Sequence, residues 1–253
     1  MHPTGKPQAM ITGASEGIGR SFAVKLAQRG YVVTAIARNE ERLDSLLAEI
    51  GREHRKVVTD LSTEGGLALV LEYLKTDHFT LLINNAGSGF VGQFSDTPLA
   101  NIRAMIFLNI TSVVDLSHAF LARAKRGDGI IQVASVLSYL PMPKQAIYSA
   151  TKAFVASFAE SLWIQCRQKG ITVINLCPGS TATNFAERAG WEKNSVPAWA
   201  SESAETVAEN ALRALERKSG PTVVSGWMNQ LTLVFTRFLT RRALVRLMGA
   251  VRK

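Results

Sequence analysis

Two hydrophobic periods alternate along this chain. Short β-rich apolar runs lie at residues 8–12, 31–37, 56–59, 80–84, 129–135, 172–177 and 222–224. Between them, segments such as residues 17–29, 40–50, 99–124, 148–169 and 205–217 are long enough and suitably spaced to be helices. The first pattern predicts seven strands and the second predicts crossover helices. Strand–helix–strand repetition predicts an α/β fold: a doubly wound, predominantly parallel seven-stranded sheet with helices on both faces. The longest irregular stretch, residues 183–204 with Trp191, Pro197 and Trp199, has the length of a lid or binding loop.

Composition agrees with a single large domain. The chain has 253 residues, 47% of them apolar and 19% charged, enough for a sizeable core and unlike a disordered segment. Residues 1–230 are read as one domain and residues 231–253 as a basic, partly apolar helical extension. Six of the nine net positive charges (Arg237, Arg241, Arg242, Arg246, Arg252 and Lys253) fall in that extension, which has no acid. Within it, Leu231, Val234, Phe235 and Phe238 follow i, i+3, i+4, i+7, but Arg242 lands on the same stripe, so one straight amphipathic helix is not cleanly written. Two readings stay open: a helix packed on the domain or a partner subunit, and an anchor to anionic lipid.

Other features exclude more than they suggest. Cys166 and Cys177 fall in a predicted helix and a predicted strand, with no close pair or His cluster, and His2, His54, His78 and His118 are scattered, so no metal is expected. The short polar stretch Met1 to Lys6, which runs almost directly into the first strand, leaves no room for a signal peptide's apolar segment, which points to a cytoplasmic, reducing setting, with membrane association left open. No stretch approaches 18 uninterrupted apolar residues. No nucleic-acid-binding module accompanies the positive charge.

Candidate chemistry begins with TGASEGIG, Thr12 to Gly19, between the first strand and first helix. Gly13, Gly17 and Gly19 let the backbone turn sharply and approach a pyrophosphate, which the free amides and positive dipole of a helix N-terminus favour. Tyr148 and Lys152 stand four residues apart, on one helix face. A phenol titrates near 10, so a cation beside it favours the phenolate that acid/base work at neutral pH requires. Ser135 and the NNAG motif of Asn84 to Gly87 close two strands, placing them at the carboxyl edge of the sheet where open α/β folds bind ligands.

Taken with Asn109 and PGSTAT at Pro178 to Thr183, these motifs occur in the order and spacing of the short-chain dehydrogenase/reductase family, and the resemblance runs from Gln8 to about Val224. It implies a Rossmann-type fold and a hydride-transferring oxidoreductase, with Asn109, Ser135, Tyr148 and Lys152 as the catalytic set. Tyr148 would be the general acid/base and Ser135 would hold the substrate oxygen. Lys152 would lower the phenol's pKa and bind the nicotinamide ribose, while Asn109 would position a water. Around the cofactor the resemblance places Gly13, Ser15, Gly17, Ile18, Gly19, Asp60, Leu61, Asn84, Ala86, Gly87, Pro178, Gly179, Thr181 and Thr183. It also suggests a homodimer or homotetramer.

Cofactor choice rests on the end of the second strand. Ala37 stands where an NAD enzyme is expected to place an acid, and Arg38 follows, a guanidinium suited to the 2′-phosphate of NADP(H). For the outer cleft the sequence offers Phe90, Val136, Leu137, Leu140, Met142, Phe185, Trp191 and Trp199, which fits a lipophilic ketone or aldehyde of 3-oxoacyl or steroid-like type. An alcohol dehydrogenase running in the oxidative direction and a non-catalytic NADP-binding regulator remain the alternatives.

Overall fold

The computed structural model describes residues 5–190 and 201–250. Its strands are β1 (Gln8–Thr12), β2 (Val32–Ala37), β3 (Arg55–Val58), β4 (Leu81–Asn84), β5 (Gly129–Val133), β6 (Thr172–Cys177) and β7 (Thr222–Val224). They form one seven-stranded sheet in the order β3-β2-β1-β4-β5-β6-β7, and every pairing is parallel. The helices are α1 (Gly17–Gln28), α2 (Glu40–Ile50), α3 (Glu64–Thr76), α4 (Leu99–Ile106), α5 (Ser112–Leu121), α6 (Ala146–Arg167), α7 (Phe185–Arg188), α8 (Ala204–Glu216), α9 (Trp227–Thr236) and α10 (Arg241–Ala250). The predicted strands all form: β1, β6 and β7 keep their predicted bounds, and the ends of the others shift by one or two residues.

Strand alternation explains the two core layers. Ala9 and Ile11 of β1 face Phe22 and Leu26 of α1 and Val207 and Ala211 of α8. Met10, between them, points to the other face and joins Val70 and Leu74 of α3 and Leu116 and Phe120 of α5. Helix α3 is hard to see in sequence because Gly65 and Gly66 open it; a Cβ at Gly66 would lie 2.0 Å from the Asp60 carbonyl oxygen, so the close approach of helix and loop requires glycine.

Helices α4 and α5 are continuous through one π turn at Phe107–Thr111, where Ser112 N–H donates to the Phe107 carbonyl. By length and composition the run Leu99–Leu121 could cross a membrane. It is nevertheless a packed helix of the domain, since Met105, Val113, Leu116 and Phe120 are buried. Helices α9 and α10 fold back on the domain, where Leu233 and Leu244 pack against Leu140.

The order of the strands locates the site. β1 lies between β2 and β4, so the sheet grows outward in both directions from this point. The crevice at the carboxyl ends of β1 and β4 is where such folds accommodate a ligand.

Candidate active site

Six of the seven strands send a loop to that crevice, which holds a cavity of about 810 Å³ lined by residues from Gly13 to Ala189. Its volume suits an extended ligand. After β1, Gly13 adopts φ +69° and Gly17 φ +56°, the left-handed region that side chains disfavour. A Cβ at Gly13 would lie 2.9 Å from Ala86 Cα, and one at Gly17 2.9 Å from Thr183 Cγ2. Gly19 does not line the cavity; a Cβ there would stand 2.2 Å from the Gly13 carbonyl oxygen, so this residue permits the turn itself. The cradle beside the α1 N-terminus thus stays free of side chains and fits a dinucleotide's pyrophosphate.

Ser15, Ile18, Leu61, Ala86, Gly87, Pro178, Gly179, Thr181 and Thr183, which the sequence assigns to the cofactor, also line the cavity. Asn84 is a correction. It is buried below the crevice, where its Nδ2 donates to Ser117 Oγ at 3.1 Å and Gln132 Oε1 at 3.0 Å. The next residue faces the cavity instead: Asn85 Nδ2 donates to the carbonyls of Thr12 and Gly13, fastening the glycine turn to the end of β4.

At one end of the cavity lie Arg38, Arg42 and Asp60. Arg38 Nη1 is 3.6 Å from Asp60 Oδ2, while Asp60 Oδ1 accepts from Ser62 N–H and its hydroxyl. Burial raises the Asp60 pKa, but the Ser62 hydrogen bonds and Arg38 outweigh it and hold the carboxyl below its usual value. Arg42, in the first turn of α2, pairs with Glu16. Glu16 also pairs with Arg188 of α7 and accepts from Asn184 Nδ2 at 3.1 Å, so it ties the glycine turn to α7. Sequence reading missed Arg42 and Arg188, because neither lies in a motif.

At the other end, Ser135, Tyr148 and Lys152 converge. Ser135 sits two residues past β5 and caps a short 3₁₀ turn, its Oγ accepting from Leu137 N–H at 3.1 Å. That bond leaves its hydroxyl hydrogen and a lone pair for another partner. Burial pushes the Tyr148 phenol up to about 12, and a hydrogen bond with Ser135 works against the rise. Lys152 Nζ donates to the Val133 carbonyl at 2.7 Å, and burial lowers it to about 8. The Phe185 ring lies 5.7 Å from that of Tyr148, at 44°.

Asn109 stands in the π turn, outside the cavity lining. Its Nδ2 donates to the Ser88 carbonyl and Thr151 Oγ1, and its Oδ1 accepts from Ser88 N–H. Thr151 in turn donates to the Tyr148 carbonyl. With both Nδ2 donors committed, the side chain clasps the loop after β4 to α6.

The expected substrate-contacting residues divide. Phe185 lines the cavity, whereas Leu140 and Met142 are buried, Leu140 beneath α9 and α10. Phe90 faces a separate small hollow with Phe94 and Met105, and Val136 and Leu137 are absent from the lining. Trp191 and Trp199 lie outside the described residues. Among the described residues no group of three or more His, Cys, Asp or Glu could hold a metal ion.

A parallel sheet in this order, a glycine turn at its switch point and a buried Tyr–Lys pair define a nucleotide-dependent oxidoreductase. The sequence model described as short chain dehydrogenase matches residues 7–194, and the chain belongs to the short-chain dehydrogenase/reductase family. Members are NAD(P)-binding oxidoreductases acting on CH–OH groups. The chain is 31% identical over 217 residues to a very-long-chain 3-oxoacyl-CoA reductase of Bos taurus, covering 82% of this chain and 68% of that protein. It is 34% identical over 184 residues to the 17-beta-hydroxysteroid dehydrogenase type 3 of Mus musculus, covering 69% of this chain and 60% of that one. Among solved structures, a short-chain dehydrogenase from Sphingobium yanoikuyae in complex with NADPH superimposes with a TM-score of 0.82 at 28% identity, covering 93% of this chain and 96% of the other.

Proposed function

We propose that the protein is an NADP(H)-dependent reductase of lipophilic ketones or aldehydes, with Tyr148 as the proton donor. The observation that carries the reading is the convergence of Ser135, Tyr148 and Lys152 at one end of a cavity whose other end holds Arg38 and Arg42. NADPH, when bound, supplies the hydride. The glycine turn would hold its pyrophosphate, and Arg38 and Arg42 would meet its 2′-phosphate, which the NADPH complex of the Sphingobium relative supports.

The chain's own residues manage the proton. With its pKa pushed up to about 12, Tyr148 keeps its hydrogen at neutral pH and donates it from Oη to the carbonyl oxygen. The Ser135 hydroxyl orients that oxygen, and donating to it stabilises the charge that develops there. The phenolate left behind is favoured by the Lys152 ammonium, which is mostly protonated at pH 7 because its pKa is about 8. Asn109 positions this pair from behind, through Thr151 and Ser88. Phe185 covers the Tyr148 ring and gives the substrate an apolar wall. The very-long-chain acyl and steroid names of the two relatives support a lipophilic substrate.

Apolar side chains left exposed on α4 (Leu99, Ile106) and α6 (Phe154, Ile164) support a homo-oligomer assembled through these helices. The test of the main reading is NADPH oxidation across a panel of ketones and aldehydes, with Tyr148→Phe as the control. The variant should lose roughly 10²- to 10⁴-fold in kcat while still binding NADPH. Cofactor binding without Tyr148-dependent turnover would overturn the reading in favour of a non-catalytic binder.

A further inference from the structure

Helix α9 has two apolar faces, and the domain uses one. Leu233 points inward and packs with Leu140 and Leu244. One turn earlier, Asn229 abuts Gly179, where a Cβ would lie 2.1 Å from its Nδ2. Gly179 lines the main cavity, so the inner face of α9 backs the cavity wall. On the outer face Trp227, Leu231, Val234 and Phe235 follow i, i+4, i+7, i+8 and share one side of the helix. All four are exposed, Trp227 by 72% and Phe235 by 64%, and Phe238 just beyond is exposed by 82%.

The charges beside this stripe have one sign. Arg237, Arg241, Arg242 and Arg246 are all exposed. No acid follows Glu216 anywhere in the chain.

We propose that the outer face of α9, with the arginines of α10, seats the protein on an anionic lipid surface. Two physical arguments select this occupant. An indole and a run of aromatic and aliphatic side chains suit the headgroup boundary, where the apolar face dips into the acyl region and arginines meet phosphates. A second copy of the chain is a poor fit, because a two-fold interface would set the arginines of one copy against those of the other, with no acid in the segment to offset them. Seated this way, the molecule would hold the Gly179 side of its cavity close to the bilayer. The proposal itself does not depend on what the enzyme reduces.

Sedimentation of the full chain with phosphatidylcholine vesicles, with and without phosphatidylserine, tests it. Binding should need phosphatidylserine and weaken as salt is raised. Trp227→Ser with Phe235→Ser, and separately Arg241→Gln with Arg242→Gln and Arg246→Gln, should each weaken it by at least about tenfold. These side chains are exposed, so thermal melting should be nearly unchanged in both variants, and that readout is independent of turnover. Failure to sediment with anionic vesicles, indifference to phosphatidylserine and salt, or equal binding by the variants would overturn the proposal. So would light scattering that reveals a dimer dissociated by the Trp227 and Phe235 changes.

Discussion

The Lys152 ammonium lies 5.9 Å from the centre of the Tyr148 ring and is fastened to the Val133 carbonyl, and both side chains are buried. Burial moves them in opposite directions: it disfavours the charged form of each, which raises the phenol and lowers the lysine.

The first prediction follows from that lysine. Its pKa falls from the ordinary 10.5 to about 8 on folding, so between these values the unfolded chain binds more protons than the folded one. Stability contributed at this site therefore rises with pH across that window, and the penalty of burying the charge is fully present below about 8. Lys152→Met removes the titration. The difference in Tm, variant minus wild type, should shrink between pH 7 and pH 10.5, as scanning calorimetry would measure. Catalysis should respond oppositely, with reductive kcat/KM falling as pH rises through about 8 and Lys152 loses its proton. A Tm difference that is flat or grows with pH would show that the ammonium is not desolvated.

Two glycines give a paired prediction. Gly19→Ala forces a Cβ to within 2.2 Å of the Gly13 carbonyl oxygen, a backbone atom that cannot move without opening the turn. The variant should lose about 2–3 kcal/mol in urea unfolding, and its cofactor affinity should drop with it. Gly65 lies in the first turn of α3 with nothing within 4 Å of its Cβ position. Gly65→Ala should leave cofactor binding unchanged and stabilise the protein by about 0.5–1 kcal/mol. Similar outcomes for the two would mean that the crowding at Gly19 is not what holds the turn.

Asn109→Ala cuts three hydrogen bonds at once and leaves both polar groups of the Ser88 backbone without their partner. A loss of about 2–4 kcal/mol is expected. If Asn109 acts by holding the loop after β4 against α6, hydrogen exchange should quicken at Ser88 and in the first turns of α6. Exchange that quickens nowhere near Ser88 would remove the positioning role.

Much of this site could be read from the chain because its parts are local. Gly13, Gly17 and Gly19 sit in one turn, Tyr148 and Lys152 are one helical turn apart, and Ser135 follows a strand. What sequence misjudged depends on direction or on long-range packing. Asn84 and Asn85 are chemically alike neighbours, and only the pleat of β4 decides that Asn84 enters the core while Asn85 reaches the glycine turn. Arg42 and Arg188 come to the cavity from separate helices, α2 and α7, with no local spacing to announce them. The tail is the clearest case. The stripe of Leu231, Val234, Phe235 and Phe238 has the spacing of a buried face, yet it is the exposed one, and Leu233 packs inward instead. The helix breaks between Thr236 and Arg241 without glycine or proline, which removes Arg242 from the stripe.

Glu16 supplies the last prediction, which concerns cofactor choice. Its carboxylate stands at the rim of the cavity and engages both Arg42 and Arg188. A 2′-phosphate at this rim must therefore compete with Glu16 for Arg42, and it also meets the repulsion of a nearby negative charge. Arg38 carries no such competitor as close, since Asp60 lies 3.6 Å away and the arginine is largely exposed. The wild-type enzyme should favour NADPH over NADH by at least about tenfold in kcat/KM. Arg38→Ala and Arg42→Ala should each erode that preference by lowering kcat/KM for NADPH several-fold, about 1 kcal/mol, with little effect on NADH. Glu16→Gln keeps an acceptor for Asn184 but removes the competing charge, so it should sharpen the preference, and the gain should fade as salt is raised. A Glu16→Gln enzyme with a weaker preference for NADPH would instead mean that the carboxylate holds Arg42 in the orientation the phosphate needs.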